Sequence, residues 1–278
     1  MLHIYRQITA LKRCVPVVIA QKREQTERFP FEPVQIVSKP ATHFVRRFWF
    51  RQVRDMPWQI SDAELRALLR LLNRTDARLL HIYFGQIAVH LLPLIRTWKN
   101  PSIVSFHGAD VTVDMNKPAY RESTRQMLDA VKFVLVRSES LRRALVDLGC
   151  DPKKIEVQRT GIPLEEFAFH ERSFPNDGEW RLVQAGRLIE KKGLPVTLRA
   201  FAVFLRKYPT ATLTIAGEGP LLAQVQKLAR ALLNAAQDPG LLSRIARSGA
   251  ETVRKKFDLQ VQARRLEDIY LRMIGRGA

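Results

Sequence analysis

Six short runs of unbroken apolar character punctuate the first 165 residues: VPVVIA, PVQIV, RLLHIYF, SIVSF, KFVLV and KIEVQ. A strand with one face in water alternates apolar and polar residues, whereas a strand covered on both faces does not. Runs of this kind, separated by helical segments, predict an α/β doubly wound domain with a parallel sheet between helices. The helices carry legible ends. Ser61 and Glu64 make a capping box ahead of Leu65, Leu68, Leu69 and Leu72, which share one helical face. Ser138 caps a helix bearing Leu141, Leu145 and Leu148, and Gly149 ends it. The chain opens on a helix, Leu2 to Arg13, rather than on a strand.

Residues 161–180, GIPLEEFAFHERSFPNDGEW, break this pattern with two prolines, two glycines and five acidic residues, and read as a linker. The expected division is residues 1–165, a linker at 166–179, and 180–278. The last part begins with strand RLVQAGR, a helix from Gly193 to Tyr208 with Leu194, Leu198, Phe201 and Leu205 on one face, and strand TATLTIAG. Pro220 then opens a helix carrying Leu221, Val225, Leu228 and Leu232, and everything from there to Ala278 reads as helix. Two strands and one helix cannot bury both faces of their sheet. Leu182, Val183, Leu213 and Ile215 therefore need cover from the C-terminal helices, or stay exposed. The available faces are Leu242-Ile245-Gly249-Val253 and Leu266-Ile269-Tyr270-Met273, the last helix being expected to meet the first domain.

The 278 residues are 46% hydrophobic and 26% charged, the balance of a globular protein. No apolar run approaches the ~18 residues of a membrane span. The N-terminus has basic residues scattered through a helical pattern, not a secretory leader, and Cys14 and Cys150 form no metal or redox spacing. A cytoplasmic location is the default, with contact at the inner face of a membrane as its extension. A net charge of +19 points to an anionic partner. Residues 1–54 hold 11 basic and 3 acidic side chains, and within them lies HFVRRFWFRQVR. On a helix Arg47, Arg51 and Arg54 would share one face while Phe44, Val45, Phe48 and Trp49 line another. Such an element can rest on anionic lipid, or pack on its own sheet by its aromatics. The charge would suit nucleic acid too, but no helix-turn-helix, zinc or aromatic-strand signature accompanies it, and no nucleic-acid partner is expected.

Two places can carry chemistry. At AGRLIEKKG a strand delivers Arg187 and a short loop brings Lys192-Gly193 to a helix N-terminus, where unpaired N–H groups already favour a diphosphate. The plain alternative is a βα turn with solvated basic residues. At SFHGAD, His107 ends a strand, on the side of an open sheet where ligands bind; its imidazole can exchange a hydrogen bond with a sugar hydroxyl, or be structural.

In that order and spacing, SFHGAD, RTGIPLEEF, AGRLIEKKG and LTIAGEGP resemble the retaining nucleotide-sugar glycosyltransferases of family four, group 1, built as two facing Rossmann-like domains in the GT-B fold. The resemblance implies an acceptor domain followed by a donor domain, and metal-independent transfer that retains the anomeric configuration. A nucleotide-sugar serves as co-substrate, a polysaccharide or lipid-linked acceptor receives the sugar, and no cofactor takes part. By the same resemblance Arg187 and Lys192 grip the donor diphosphate, His107 is the catalytic residue facing the donor sugar, and Gly217 and Gly219 of the GEGP loop lie near the nucleotide. The wording around SESLRRALVDLGCDPKKIEVQRTGIPLEEF is closest to members that build bacterial exopolysaccharides.

The departures are equally specific. Family members continue after GEGP through further strands to a Gly-rich segment with two spaced glutamates. Here Lys227-Leu228-Ala229-Arg230 joins directly to ALLNAAQDPGLLSRIARSGAETVRKKF, which resembles the family's closing helices. Glu24 with Glu32 and Glu171 with Glu179 have the spacing but lack the strand and glycines that would aim them. The family's first strand is also missing, since LHIYRQITALKR resembles the helix that follows it. The expectation is a transferase of polysaccharide or glycolipid assembly with impaired activity; the alternative is a non-catalytic remnant that binds acceptor glycolipid, an anionic membrane or a partner enzyme.

Overall fold

The computed structural model describes residues 2–111, 115–167, 169–171, 175, 179–187, 189, 192–217 and 239–275. They fall into two compact units, residues 1–166 with 255–278, and residues 167–254. Gly219, Pro220, the junction at Arg230 and part of the expected linker lie outside the described residues.

The first unit is organised by four parallel strands in spatial order β3 (Leu80–Tyr83), β4 (Ser102–Phe106), β5 (Phe133–Val136) and β6 (Ile155–Val157). Every residue of β4 and β5 is buried, as their unbroken apolar sequences require. One face of the sheet, with Ile82, Val104, Phe106, Val134 and Val136, packs on Ala88 and Val89 of α4 (Gly85–His90), Leu92 and Ile95 of α5 (Leu92–Thr97), Met127 and Leu128 of α6 (Pro118–Ala130), and Leu145 of α7 (Glu139–Asp147). The other face presents Ile103, Phe133 and Leu135 to Leu266, Ile269, Tyr270 and Met273 of the closing helix, Leu259–Gly275. The final helix thus meets the first unit, and burying each such aliphatic side chain contributes about 1.5–3 kcal/mol.

The caps form as the sequence indicates. In α3 (Asp62–Arg74) the Glu64 N–H donates to Ser61 Oγ at 3.3 Å, and the Ser61 N–H donates to Glu64 Oε2 at 2.8 Å. The Leu141 N–H donates to Ser138 Oγ at 3.3 Å at the start of α7. Gly149 follows that helix with φ +100°, a conformation open to glycine.

Three expectations are corrected. The first unit holds the six expected strands, but in two sheets and not one. Strands β1 (Val18–Ala20) and β2 (Val34–Ile36) pair in parallel only with each other, and Ile19 packs on the Ile60–Leu68–Leu72 cluster beside α3. Each is three residues long and partly exposed, so neither needs neighbours on both edges. Second, the opening helix α1 (Leu2–Thr9) stops short of Arg13, because the N–H groups of Lys12, Arg13 and Cys14 turn to the Glu267 carboxylate instead of to the helix. Third, the aromatic segment does not pack on its own sheet. It forms helix α2 (His43–Phe48) and a π-helical turn, Trp49–Val53, with Phe44 77%, Val45 72%, Phe48 64% and Trp49 53% exposed.

The second unit contains one βαβ element. Strands β7 (Arg181–Ala185) and β8 (Thr212–Ala216) pair in parallel from Arg181 opposite Thr212 to Ala185 opposite Ala216, joined by α8 (Leu194–Leu205). Buried Phe204 and Ala211 gather Trp180, Leu182, Phe201, Leu205 and Tyr208. Val183, pointing to the other face, is 73% exposed. A helix over Pro239–Phe257 precedes the closing helix in the chain.

Candidate functional site

The parallel register brings the site of the first unit together. Phe106 of β4 pairs with Val136 of β5, so the next residues, His107 and Arg137, leave neighbouring strands side by side at the carboxyl edge of the sheet. Arg137 Nη2 lies 3.4 Å from His107 Nε2. A guanidinium can only donate, so Nε2 accepts and the imidazole proton sits on Nδ1. Burial, then the charges of Arg137 and His3, push the His107 pKa down to about 3, so the ring is neutral near pH 7. Arg137 is itself held from both sides: Nη1 donates to the Gln158 carbonyl at 2.9 Å and Nη2 to Gln7 Oε1 at 3.1 Å.

Asp110 shapes the loop that carries His107. Its carboxylate accepts the N–H groups of His107 at 2.9 Å, Gly108 at 2.7 Å and Gly85 at 3.2 Å. Gly108 has φ +136°, which a side chain would resist. On the adjoining strand end Phe84 adopts φ +76°, rare for a residue with a side chain, and its ring lies 4.7 Å from that of His107. Backbone held in such a region clusters at functional sites. Beside this loop opens a cavity of about 320 Å³, lined by Phe106, Asp110, Arg47, Arg51, Trp58 and Tyr120 among others.

Behind His107 runs a buried network that motif reading missed. His81 contacts Tyr270 Oη through Nδ1 and Ser105 Oγ through Nε2, and burial pushes its pKa down to about 3. His3 of α1 packs on His107 at 5.0 Å between ring centres. Arg137 had a signal in the sequence: like His107, it is the first residue beyond a buried strand, and it is the first polar residue after the apolar run FVLV.

In the second unit Arg187 and Lys192 are both exposed, on the loop between β7 and α8. Gly193, at φ +67°, opens α8 without a side-chain cap. Gly186 and Gly217 close the strand ends tightly, a Cβ on Gly217 falling 1.8 Å from the Gly186 carbonyl oxygen. The structure thus puts the two cations on one loop; Gly219 lies outside the described residues.

A parallel α/β sheet with polar residues at its carboxyl edge, followed by a βαβ unit with a basic turn, fits the GT-B fold. The profile of Glycosyltransferase Family 4 matches residues 3–166, and that of Glycosyl transferases group 1 matches residues 165–237. The chain belongs to Glycosyltransferase Family 4. It is 26% identical over 151 residues to the amylovoran biosynthesis glycosyltransferase AmsK of Erwinia amylovora, covering 54% of this chain and 37% of that protein. It is 30% identical over 95 residues to the putative colanic acid biosynthesis glycosyltransferase WcaL of Salmonella typhimurium, covering 34% of this chain and 23% of that one. The matches therefore span well under half the length of these relatives. Among solved structures, Anabaena HepE in complex with UDP has a TM-score of 0.67 at 10% identity, over 97% of this chain and 95% of HepE. HepE with UDP-glucose gives 0.63, with 97% and 94% covered. At that identity the likeness is one of fold.

Proposed function

We propose that this chain takes part in sugar transfer from a nucleotide-sugar donor to a polysaccharide or glycolipid acceptor, with retention at the anomeric carbon and a rate reduced by the missing middle of the donor domain. The observation that carries the reading is the His107–Arg137 pair at the carboxyl edge of the sheet, within a chain of this family. The polysaccharide assignments of AmsK and WcaL, and the UDP and UDP-glucose held by HepE, support the substrate classes.

Each residue has a role its setting suits. Neutral His107 offers an Nδ1–H to a hydroxyl of the donor sugar, because Arg137 occupies the other ring nitrogen. Exposed Arg187 and Lys192 offset charge that grows on a departing diphosphate, assisted by the N-terminus of α8. Gly217, and Gly219 after it, leave the backbone free to approach the nucleotide. Peripheral contact with an anionic membrane belongs to the same reading, through the exposed aromatic and basic side chains of residues 43–54. Among the described residues no helix is long and apolar enough to cross a membrane.

The test is transfer of labelled sugar from a panel of nucleotide-sugars to lipid extracts. Product accumulating more slowly than about 1 per second supports the reading. Faster turnover contradicts the impairment, and absence of both transfer and nucleotide binding contradicts the activity itself.

A further inference from the structure

We propose that the polar cluster of His3, Gln7 and Arg137 beside His107 receives the carboxylate of a sugar acid, so that the sugar bound there is a uronic acid. This rests on the transferase reading above and adds to it the class of sugar.

Arg137 is a half-buried cation without a counter-charge. Among the described residues it meets the Gln158 carbonyl, Gln7 Oε1 and His107 Nε2, and none of these is a carboxylate. Other arginines of the first unit do pair, Arg6 with Glu166 and Arg46 with Glu64. Asp110 is close enough to act on Arg137 through its charge, but its carboxylate is engaged by the N–H groups of His107, Gly108 and Gly85. Holding a guanidinium out of water on neutral partners costs free energy, which an arriving negative charge offsets. Burial accordingly pulls the Arg137 pKa below its ordinary value.

The same cluster holds polar atoms with nothing to bond. Arg137 Nε, Gln7 Nε2 and His3 Nε2 are each buried and without a hydrogen-bond partner, and Gln7 as a whole is only 8% exposed. Gln7 Oε1 already accepts from Arg137, so its amide nitrogen is left to donate elsewhere. His3 and Gln7 lie one turn apart on α1, and the His3 ring packs on that of His107 at 5.0 Å. Buried polar groups are nearly always satisfied, so orphans gathered around one cation point to a ligand that satisfies them together.

Charge selects that ligand. Burial, before any other cause, lowers the pKa of both His3 and His107, so Arg137 is the charged side chain of the cluster near pH 7. A carboxylate, singly charged at that pH, matches it. A phosphate monoester carries about −1.5 to −2 and calls for a second cation. Position selects what bears the carboxylate. Arg137 and His3 both contact His107, whose Nδ1–H serves the donor sugar in the reading above, whereas the donor diphosphate has Arg187 and Lys192.

The test compares UDP-glucuronate and UDP-galacturonate with UDP-glucose, and methyl glucuronoside with methyl glucoside and inorganic phosphate, in titrations of isotope-labelled full-length protein. The better UDP-uronate should bind about tenfold tighter than UDP-glucose. The Arg137 Nε–H resonance of the wild type should move with the uronates and not with UDP-glucose, a reading of the contact that needs no variant. Gln7→Glu puts a carboxylate where Oε1 already accepts from Arg137, giving the guanidinium an internal partner without a change of size. It should abolish the preference for uronates, with circular dichroism verifying the fold. If no nucleotide-sugar binds, but methyl glucuronoside moves the Arg137 resonance and methyl glucoside does not, the sugar-acid site stands and the transferase reading fails. Equal affinity of wild type for the uronates and UDP-glucose overturns the site, as does a preference that survives Gln7→Glu. Inorganic phosphate moving the resonance as readily as methyl glucuronoside marks a general anion site and overturns the sugar assignment, and a resonance that no titrant moves overturns the proposal entirely.

Discussion

Replacing Glu267 by alanine should loosen the start of the chain from the closing helix and disturb the candidate site from a distance. The Glu267 side chain is 1% exposed and accepts N–H groups from Lys12 at 2.6 Å, Cys14 at 3.0 Å and the intervening Arg13. Truncation leaves three partly buried donors without an acceptor, at about 1–1.5 kcal/mol each, so the first unit should lose about 3–5 kcal/mol. That is a large share of the ~5–15 kcal/mol typical of a folded domain. Glu267→Gln retains a carbonyl acceptor but not the charge, and should cost about half as much. Burial alone would raise the Glu267 pKa; the N–H donors of Arg13, Lys12 and Cys14 outweigh it and hold it below the usual range. A depressed carboxylate contributes stability that is fully present above the unfolded pKa, about 4.3, and is lost as pH falls through the folded value. Urea unfolding of wild type and Glu267→Gln should accordingly converge in acid. Hydrogen exchange gives the local reading: amides of residues 10–14 should lose protection first, followed by α1, whose Gln7 and His3 touch Arg137 and His107. A Glu267→Ala variant within ~0.5 kcal/mol of wild type, with unchanged exchange, would refute this reasoning.

Gly85→Ala should cost about 1–3 kcal/mol in thermal unfolding, because the added Cβ would fall 2.1 Å from the Phe106 ring and force it from the cavity wall. For His81 and His107 the folded pKa is lowered to about 3, against about 6.5 unfolded, so the unfolded chain takes up protons first. Stability should therefore fall as pH drops below ~6.5, by up to about 1.4 kcal/mol per pH unit for fully buried His81, and His81→Gln should flatten that slope. In a nuclear magnetic resonance titration neither ring should change protonation between pH 8 and about 5; a mid-range titration of His107 would contradict its burial beside Arg137.

The parallel sheet was legible because β4 and β5 are apolar on both faces, and helix ends were legible where Ser61, Ser138 and Gly149 act within a few residues of their partners. Local chemistry of that kind leaves its mark in a short window. The separation of β1 and β2 did not, since a short apolar strand reads the same whether it joins a large sheet or a small one. The exposure of Phe44 and Phe48 was equally hidden: an amphipathic pattern shows that two faces differ, not which one meets the protein. His107 could be picked out by its position at a strand end. Its contact with Arg137 comes from the register of β4 and β5, and its contact with His3, like the bond from Arg137 to Gln7, comes from α1; these residues are far apart in sequence, and only the assembled unit shows them.

The measurement that bears most directly on a nucleotide-sugar function is calorimetric titration of wild type and Arg187→Ala/Lys192→Ala with UDP and a panel of nucleotide-sugars. Both side chains are exposed, so the double variant should keep its stability within ~0.5 kcal/mol per site and report on binding alone. Measurable heat is expected with at least one nucleotide-sugar and with its nucleoside diphosphate, and weaker binding of both in the double variant. Equal nucleotide affinity in the two proteins would reduce the pair to solvated charge, and no heat with any donor would contradict a nucleotide-sugar function for this chain.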